Sequence, residues 1–200
     1  MKAKIDKKFE VEQDIQTVWK FISDPHKVVT CVPGAQITEQ IDDRNYVGTV
    51  SLQVGPVKTS YKGEVTIARL EDDKYEMEII GKGTDTKGKG NAGMVLIGTL
   101  SKNDRGLTEV INSMEVSVSG KLAQFGSRMI VDVTDQVFGQ FIDNVKNQLK
   151  AIEEAQKASG EGQAFVPPPA QEAKPLKALP LLFSIILGYI MRLFGRKPKS

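Results

Sequence analysis

The chain has one cysteine, one histidine and one tryptophan among 200 residues. A lone Cys31 cannot form an internal disulfide, so a reducing compartment is the default. With His26 as the single histidine, a His/Cys zinc site within one chain is excluded. Aromatics are scarce at 6%. No apolar run reaches the roughly 20 residues that span a bilayer. The opening MKAKIDKKFEVE alternates charged and apolar residues and lacks the apolar core of a secretory signal, so the chain is expected to start in the cytoplasm. Net charge is only +2, and it is unevenly spread. Residues 1–155 hold 20 Lys and Arg against 23 Asp and Glu; residues 156–200 hold 7 against 2. A mildly acidic body makes nucleic acid an unexpected partner. The basic end suits anionic lipid headgroups. What remains is a globular composition, 40% apolar and 26% charged.

Hydrophobic periodicity divides the chain. Residues 3–11 read as a strand, with Ala3, Ile5, Phe9 and Val11 on one face and Lys7 as the exception. Asp14 caps a short helix to Ile22, and Asp24-Pro25 starts a second that ends near Cys31-Val32-Pro33-Gly34. From Ala35 to Ser119 the period is two. Strands are predicted at 35–40, 44–54, 56–70, 74–81, 93–102 and 106–119, with a long flexible hairpin loop between Gly81 and Gly93. Residues 121–155 read as one helix whose stripe runs Leu122, Phe125, Met129, Val133, Val137, Phe141, Val145 and Leu149. The order predicts an α+β helix-grip fold: a seven-stranded curved antiparallel sheet wrapped on a long C-terminal helix, with a cavity between them.

Three regions follow: a domain at 1–155, a flexible linker at 156–176 and an apolar, basic tail at 177–200. The tail has 14 uncharged residues between Lys177 and Arg192, too few for a comfortable span. Its large apolar residues are Leu181, Leu182, Phe183, Ile185, Ile186, Leu187, Tyr189, Ile190, Leu193 and Phe194. Burying each gives roughly 1.5–3 kcal/mol. Arg192 and its basic neighbours can snorkel to headgroups. The tail is expected to hold the domain on the cytoplasmic face of the cell membrane, either peripherally or as a tail anchor.

No constellation of catalytic type stands out. GTDTKGKG at 83–90 nearly spells a phosphate loop, but Gly90 replaces the magnesium-binding hydroxyl and the flanks read as strand on both sides. Cys31 has no accompanying base, and His26 reads as a surface or capping residue. The inward set of Tyr61, Tyr75, Met77, Met94, Leu96, Met114, Phe125, Met129 and Val133 is rich in Met and aromatics, as adaptable apolar pockets are. These are the expected ligand-binding residues. Gly48, Gly63 and Gly98 interrupt strands where bending or close backbone approach is expected.

CVPGA after two short helices, GPVKTSYKGEV in the central strands and GKLAQFGSRMI at 120–130 together resemble the CoxG family of carbon monoxide dehydrogenase subunits, within the START/Bet v1-like helix-grip (SRPBCC) superfamily. The resemblance covers about residues 2–150. It implies association with a molybdenum hydroxylase such as carbon monoxide dehydrogenase, recruitment of that enzyme to the membrane, and a cavity suited to a respiratory quinone. No family catalytic residue maps onto this chain; no metal and no covalent cofactor are expected, and a bound quinone is. The chain is expected to be a non-enzymatic carrier. Two other readings stay open at this point: a docking adaptor with a packed interior, and a small cyclase or hydrolase using Tyr61, Tyr75, Thr108 or Asn112. Filling the cavity at Gly63 or Gly98 with Leu is expected to separate carrier from adaptor.

Overall fold

A computed structural model describes residues 1–54 and 57–158. The linker beyond 158 and the tail, with all the expected membrane-binding residues from Leu181 to Phe194, lie outside the described residues. The element order is β1 (Lys2–Val11), α1 (Ile15–Ile22), α2 (Pro25–Cys31), β2 (Ala35–Gln40), β3 (Asn45–Val54), β4 (Val57–Glu71), β5 (Glu76–Asp85), β6 (Asn91–Lys102), β7 (Thr108–Val118), a 3-10 turn at Leu122–Phe125, and α3 (Gly126–Ala158).

The strands form one antiparallel sheet in the order β1-β7-β6-β5-β4-β3-β2. Register shifts between Ile37 and Glu39 and between Ile67 and Arg69 bend it, as bulges do. At Gly63 a Cβ would lie 2.0 Å from the Lys82 carbonyl oxygen, so only glycine permits this strand pair to close. The two short helices start as the sequence predicts. Asp14 accepts from the Thr17 N–H at 2.9 Å and Asp24 from the His26 N–H at 3.0 Å.

Pairing register sorts the inward side chains into rows. One row runs Phe9, Val110, Leu100. The next is Lys7, Asn112, Gly98, Met77, Leu70, and above it Ile5, Met114, Leu96, Ile79, Ile67. Above that come Ala3, Val116, Met94, Gly81, Val65 and Tyr46. Lys7, the exception in β1, faces inward and pairs with Asp135 of α3 at 3.0 Å. With Phe138 against Phe9 one row below, that contact sets the direction of α3, which runs toward the lower rows after Asp135.

The main buried cluster occupies the lower end, while Ile5, Tyr46, Tyr61, Ile67 and Val118 are buried along the upper rows and Ile130 on α3. Phe9 and Phe138 meet edge to face at 6.2 Å, and Val18, Trp19, Phe21, Val145 and Leu149 complete a buried cluster. Trp19 donates its indole N–H to Asp72 at 2.7 Å and packs edge-on against Tyr75 at 5.7 Å. Cys31 is fully buried, and the Asn144 amide donates to its carbonyl oxygen at 3.0 Å, tying α2 to α3.

The structure corrects three sequence expectations. The 121–155 segment is not one helix: Gly126, at φ +83°, separates a 3-10 turn carrying Leu122 and Phe125 from α3. The long hairpin loop is shorter, because β5 runs on to Asp85 and β6 starts at Asn91; backbone pairing continues where apolar alternation stops. Tyr75 is not a strand residue but a turn residue at φ +54°, a left-handed conformation that a period-two pattern does not signal.

Candidate functional site

The nine expected ligand-binding residues divide between two environments. Met77 belongs to the buried lower cluster and Tyr75 packs on it. Met94, Leu96, Met114, Met129 and Val133 stand outside that cluster, although the strand residues among them share the same inward face. Tyr61 is buried at the far end of β4. Phe125 is 40% exposed on the 3-10 turn and is not on the helix stripe.

The upper rows present an apolar inward face, termed the trough. Ile67, Ile79, Leu96 and Met114 make its floor near the core, and Gly81, Met94 and Val116 continue it. Met129 and Val133 lie on α3 ahead of Asp135, the residue that pairs with Lys7. The decisive residue is Val65. Its register places it inward, between Tyr46 and Gly81, yet it is 37% exposed. Its side chain therefore reaches solvent from the inward face of the sheet. Val65 was visible in the sequence as an alternating strand residue, but nothing there tells a packed position from an exposed one.

The trough has polar groups at both ends. At the core end Asn112 is 9% exposed and its Nδ2 has no hydrogen-bond partner. At the other end Thr59 donates to Asp85 at 3.4 Å beside Tyr61, and Asp85 accepts from the Lys87 N–H at 2.8 Å. Burial raises the Tyr61 hydroxyl pKa above its ordinary value; Thr59 works against that shift and Asp85 adds to it. A small pocket of about 90 Å³ sits there, ringed by Lys58, Lys87, Lys89 and Lys121. Backbone contacts hold this ring together, the Lys121 N–H donating to the Lys89 carbonyl at 3.4 Å. A second, open depression of about 640 Å³ is lined by Lys62, Glu64, Lys82 and Ser117 together with Gly63, Gly83, Ala92 and Val118.

The other candidates have structural roles. Burial pushes the Cys31 thiol pKa up, the opposite of an activated nucleophile. His26 is hydrogen-bonded to Gln40 at 3.0 Å and stacked edge-on to Tyr46. The 83–90 segment is a strand end followed by a turn, with no helix after it to receive a phosphate. Among the described residues no cluster of His, Cys, Asp and Glu could hold a metal ion. Nor, among them, is any helix long and apolar enough to cross a membrane.

Known proteins share both the sequence pattern and the architecture. The family model for CoxG, a subunit of carbon monoxide dehydrogenase, matches residues 8–150. The chain belongs to the CoxG family. The match takes in most of the sheet, both short helices and most of α3. No curated protein is similar enough in sequence to match. Solved structures share the fold at low identity. A conserved protein from Geobacillus kaustophilus is 19% identical, with a TM-score of 0.67 over 74% of this chain and 96% of its own. The Zhui aromatase/cyclase from Streptomyces sp. R1128 is 13% identical, with a TM-score of 0.56 over 80% and 99%. Ara h 8.0201 is 14% identical, with a TM-score of 0.51 over 76% and 99%. The helix-grip, Bet v1-like architecture is therefore that of this CoxG-family chain.

Proposed function

We propose that this CoxG-family chain is a non-enzymatic carrier of an apolar lipid, of the respiratory quinone type, and that it serves a carbon monoxide dehydrogenase or similar molybdenum hydroxylase. The observation that carries the reading is the 37% exposure of Val65 on the inward face of the sheet. An isoprenoid chain exposed to water loses about 25 cal/mol for each Å² of apolar surface. A trough lined by Ile67, Leu96, Met94 and Met114 would replace the burial it has in a membrane. The residues fit such a guest: apolar walls, flexible thioethers and one unpaired donor. The name of the family supports the enzyme partner.

In this reading the tail holds the domain to the cytoplasmic face of the membrane. The linker of about 20 residues lets it reach about 25 Å. The lysine ring around Lys58, Lys87, Lys89 and Lys121 would favour an approach of that end to anionic lipid. No bond is made or broken, so no acid or base is required.

The test is extraction of lipid from full-length protein purified out of its native host, followed by mass spectrometry and quinone titration. A stoichiometric quinone supports the carrier. Recovery of detergent or phospholipid alone, with no saturable quinone binding, would remove it. Cavity filling has to be aimed by the structure. Gly63→Leu drives a side chain into backbone, and Gly98→Leu presses Met77, so neither separates a carrier from an adaptor. Gly81 faces the trough with only the Met94 side chain near a would-be Cβ, at 3.6 Å, and is the position to fill.

A further inference from the structure

Among the described residues, Asn112 Nδ2 is the one buried side-chain nitrogen or oxygen without a hydrogen-bond partner. Asn112 projects inward from β7 and is nine-tenths buried. Leaving a buried donor unpaired costs about 1–3 kcal/mol, and a leucine in its place would avoid that cost. The neighbours in its row do not satisfy it. Lys7 has no acceptor to offer, and its ammonium is held by Asp135 at 3.0 Å. Gly98, on the other side, has no side chain. A Cβ there would lie 3.4 Å from Asn112 Oδ1 and 3.2 Å from Met77 Cγ, so glycine keeps the space beside the amide clear.

The position is as informative as the missing bond. Below the Asn112 row the interior is packed, beginning with Phe9, Val110 and Leu100. Above it the next row is Ile5, Met114, Leu96, Ile79 and Ile67, with no side-chain acceptor. The free N–H thus stands where the packed lower cluster meets the upper apolar rows, which in the carrier reading is the closed end of the trough. A guest sliding in from the Val65 side would meet it last.

We infer that Asn112 Nδ2 is the hydrogen-bond donor for a carbonyl oxygen at the leading end of the bound guest. This rests on the trough being a ligand site. It narrows the ligand class to apolar molecules with a neutral acceptor at one end. A pure hydrocarbon gains nothing at Asn112. A carboxylate would have to bury a charge beside a lysine that is already paired.

The experiment uses the full chain and two matched probes, tetradecane and 2-tetradecanone, each displacing the fluorescent dye N-phenyl-1-naphthylamine. In Asn112→Leu the ketone is expected to bind about three- to tenfold more weakly, with the alkane unchanged. The melting temperature of the ligand-free variant should rise, because the orphaned donor is gone. Asn112→Ala supplies the same ketone-to-alkane ratio if the leucine variant does not fold. An unchanged ratio in the folded variants, with both probes still binding, overturns the anchor and leaves the carrier standing. Failure of both probes to displace dye from the wild type overturns the trough reading, and the anchor with it.

Discussion

Below the Asn112 row, Phe9, Trp19, Phe138, Val145 and Leu149 interlock around two short helices and the C-terminal half of α3. Above it, Met94, Leu96, Met114, Met129 and Val133 stay outside that cluster, and Val65 reaches solvent. The residue types differ little in hydrophobicity. What differs is the roof. At the lower end α1, α2 and α3 pack together, while α2 also reaches the upper rows through His26 against Tyr46. The lower end therefore supplies most of the stability, and in the carrier reading the upper end supplies the room.

Targeted substitutions would break or sharpen this division. The largest effect is expected at the sheet bend that separates the ends. Gly63→Ala places a methyl 2.0 Å from a backbone oxygen, and soluble expression with a native far-UV spectrum should be lost. Next comes Phe138→Ala, which should cost about 3–5 kcal/mol in denaturant unfolding, while half-buried Met94→Ala should cost about 1 kcal/mol or less. Equal costs would mean that the two ends are packed alike. Gly81→Leu should leave the unfolding midpoint nearly unchanged and weaken binding of an apolar dye by about tenfold or more. Normal dye binding in that variant would place the guest elsewhere.

Smaller effects test the lower end alone. Asp14→Ala removes the cap of α1 and should cost about 1 kcal/mol. Hydrogen bonds from the Thr17 hydroxyl and N–H hold the Asp14 pKa below the ordinary aspartate value. The folded state therefore binds fewer protons there than the unfolded chain. The stabilisation is present above the unfolded carboxyl pKa of about 3.9 and is lost as pH falls through the lower folded value. Urea titrations of wild type and Asp14→Asn should converge in acid and separate toward neutrality. Last, Cys31 should react with a thiol reagent only as fast as the lower end opens, and addition of denaturant below the midpoint should set that rate.

Much of this arrangement was legible in the residues. Period-two alternation exposed the strands, and Asp14, Asp24 and Pro25 exposed the helix starts, because these signals act over a few positions. Lys7 stood out as an exception in β1, but its reason, Asp135, lies far along the chain and no local pattern connects them. The same distance problem hid the Trp19–Asp72 bond beside the left-handed turn at Tyr75. The inward Met set was readable as one group. Its division was not, since Met77 and Met94 differ only in which part of the roof lies over them. The shortened hairpin was missed for a related reason: Gly81, Gly83 and Gly93 pair as strand while giving no apolar rhythm.

The joint at Gly126 has a consequence for anyone wishing to adjust the upper end. Its backbone sits at φ +83°, and no atom lies within 4 Å of where a methyl would go. Crowding is therefore no obstacle to a larger residue there; torsional preference alone sets the cost. Gly126→Ala would bias the peptide between turn and helix without adding a contact. The junction can thus be stiffened or relaxed chemically while every neighbouring surface keeps its shape.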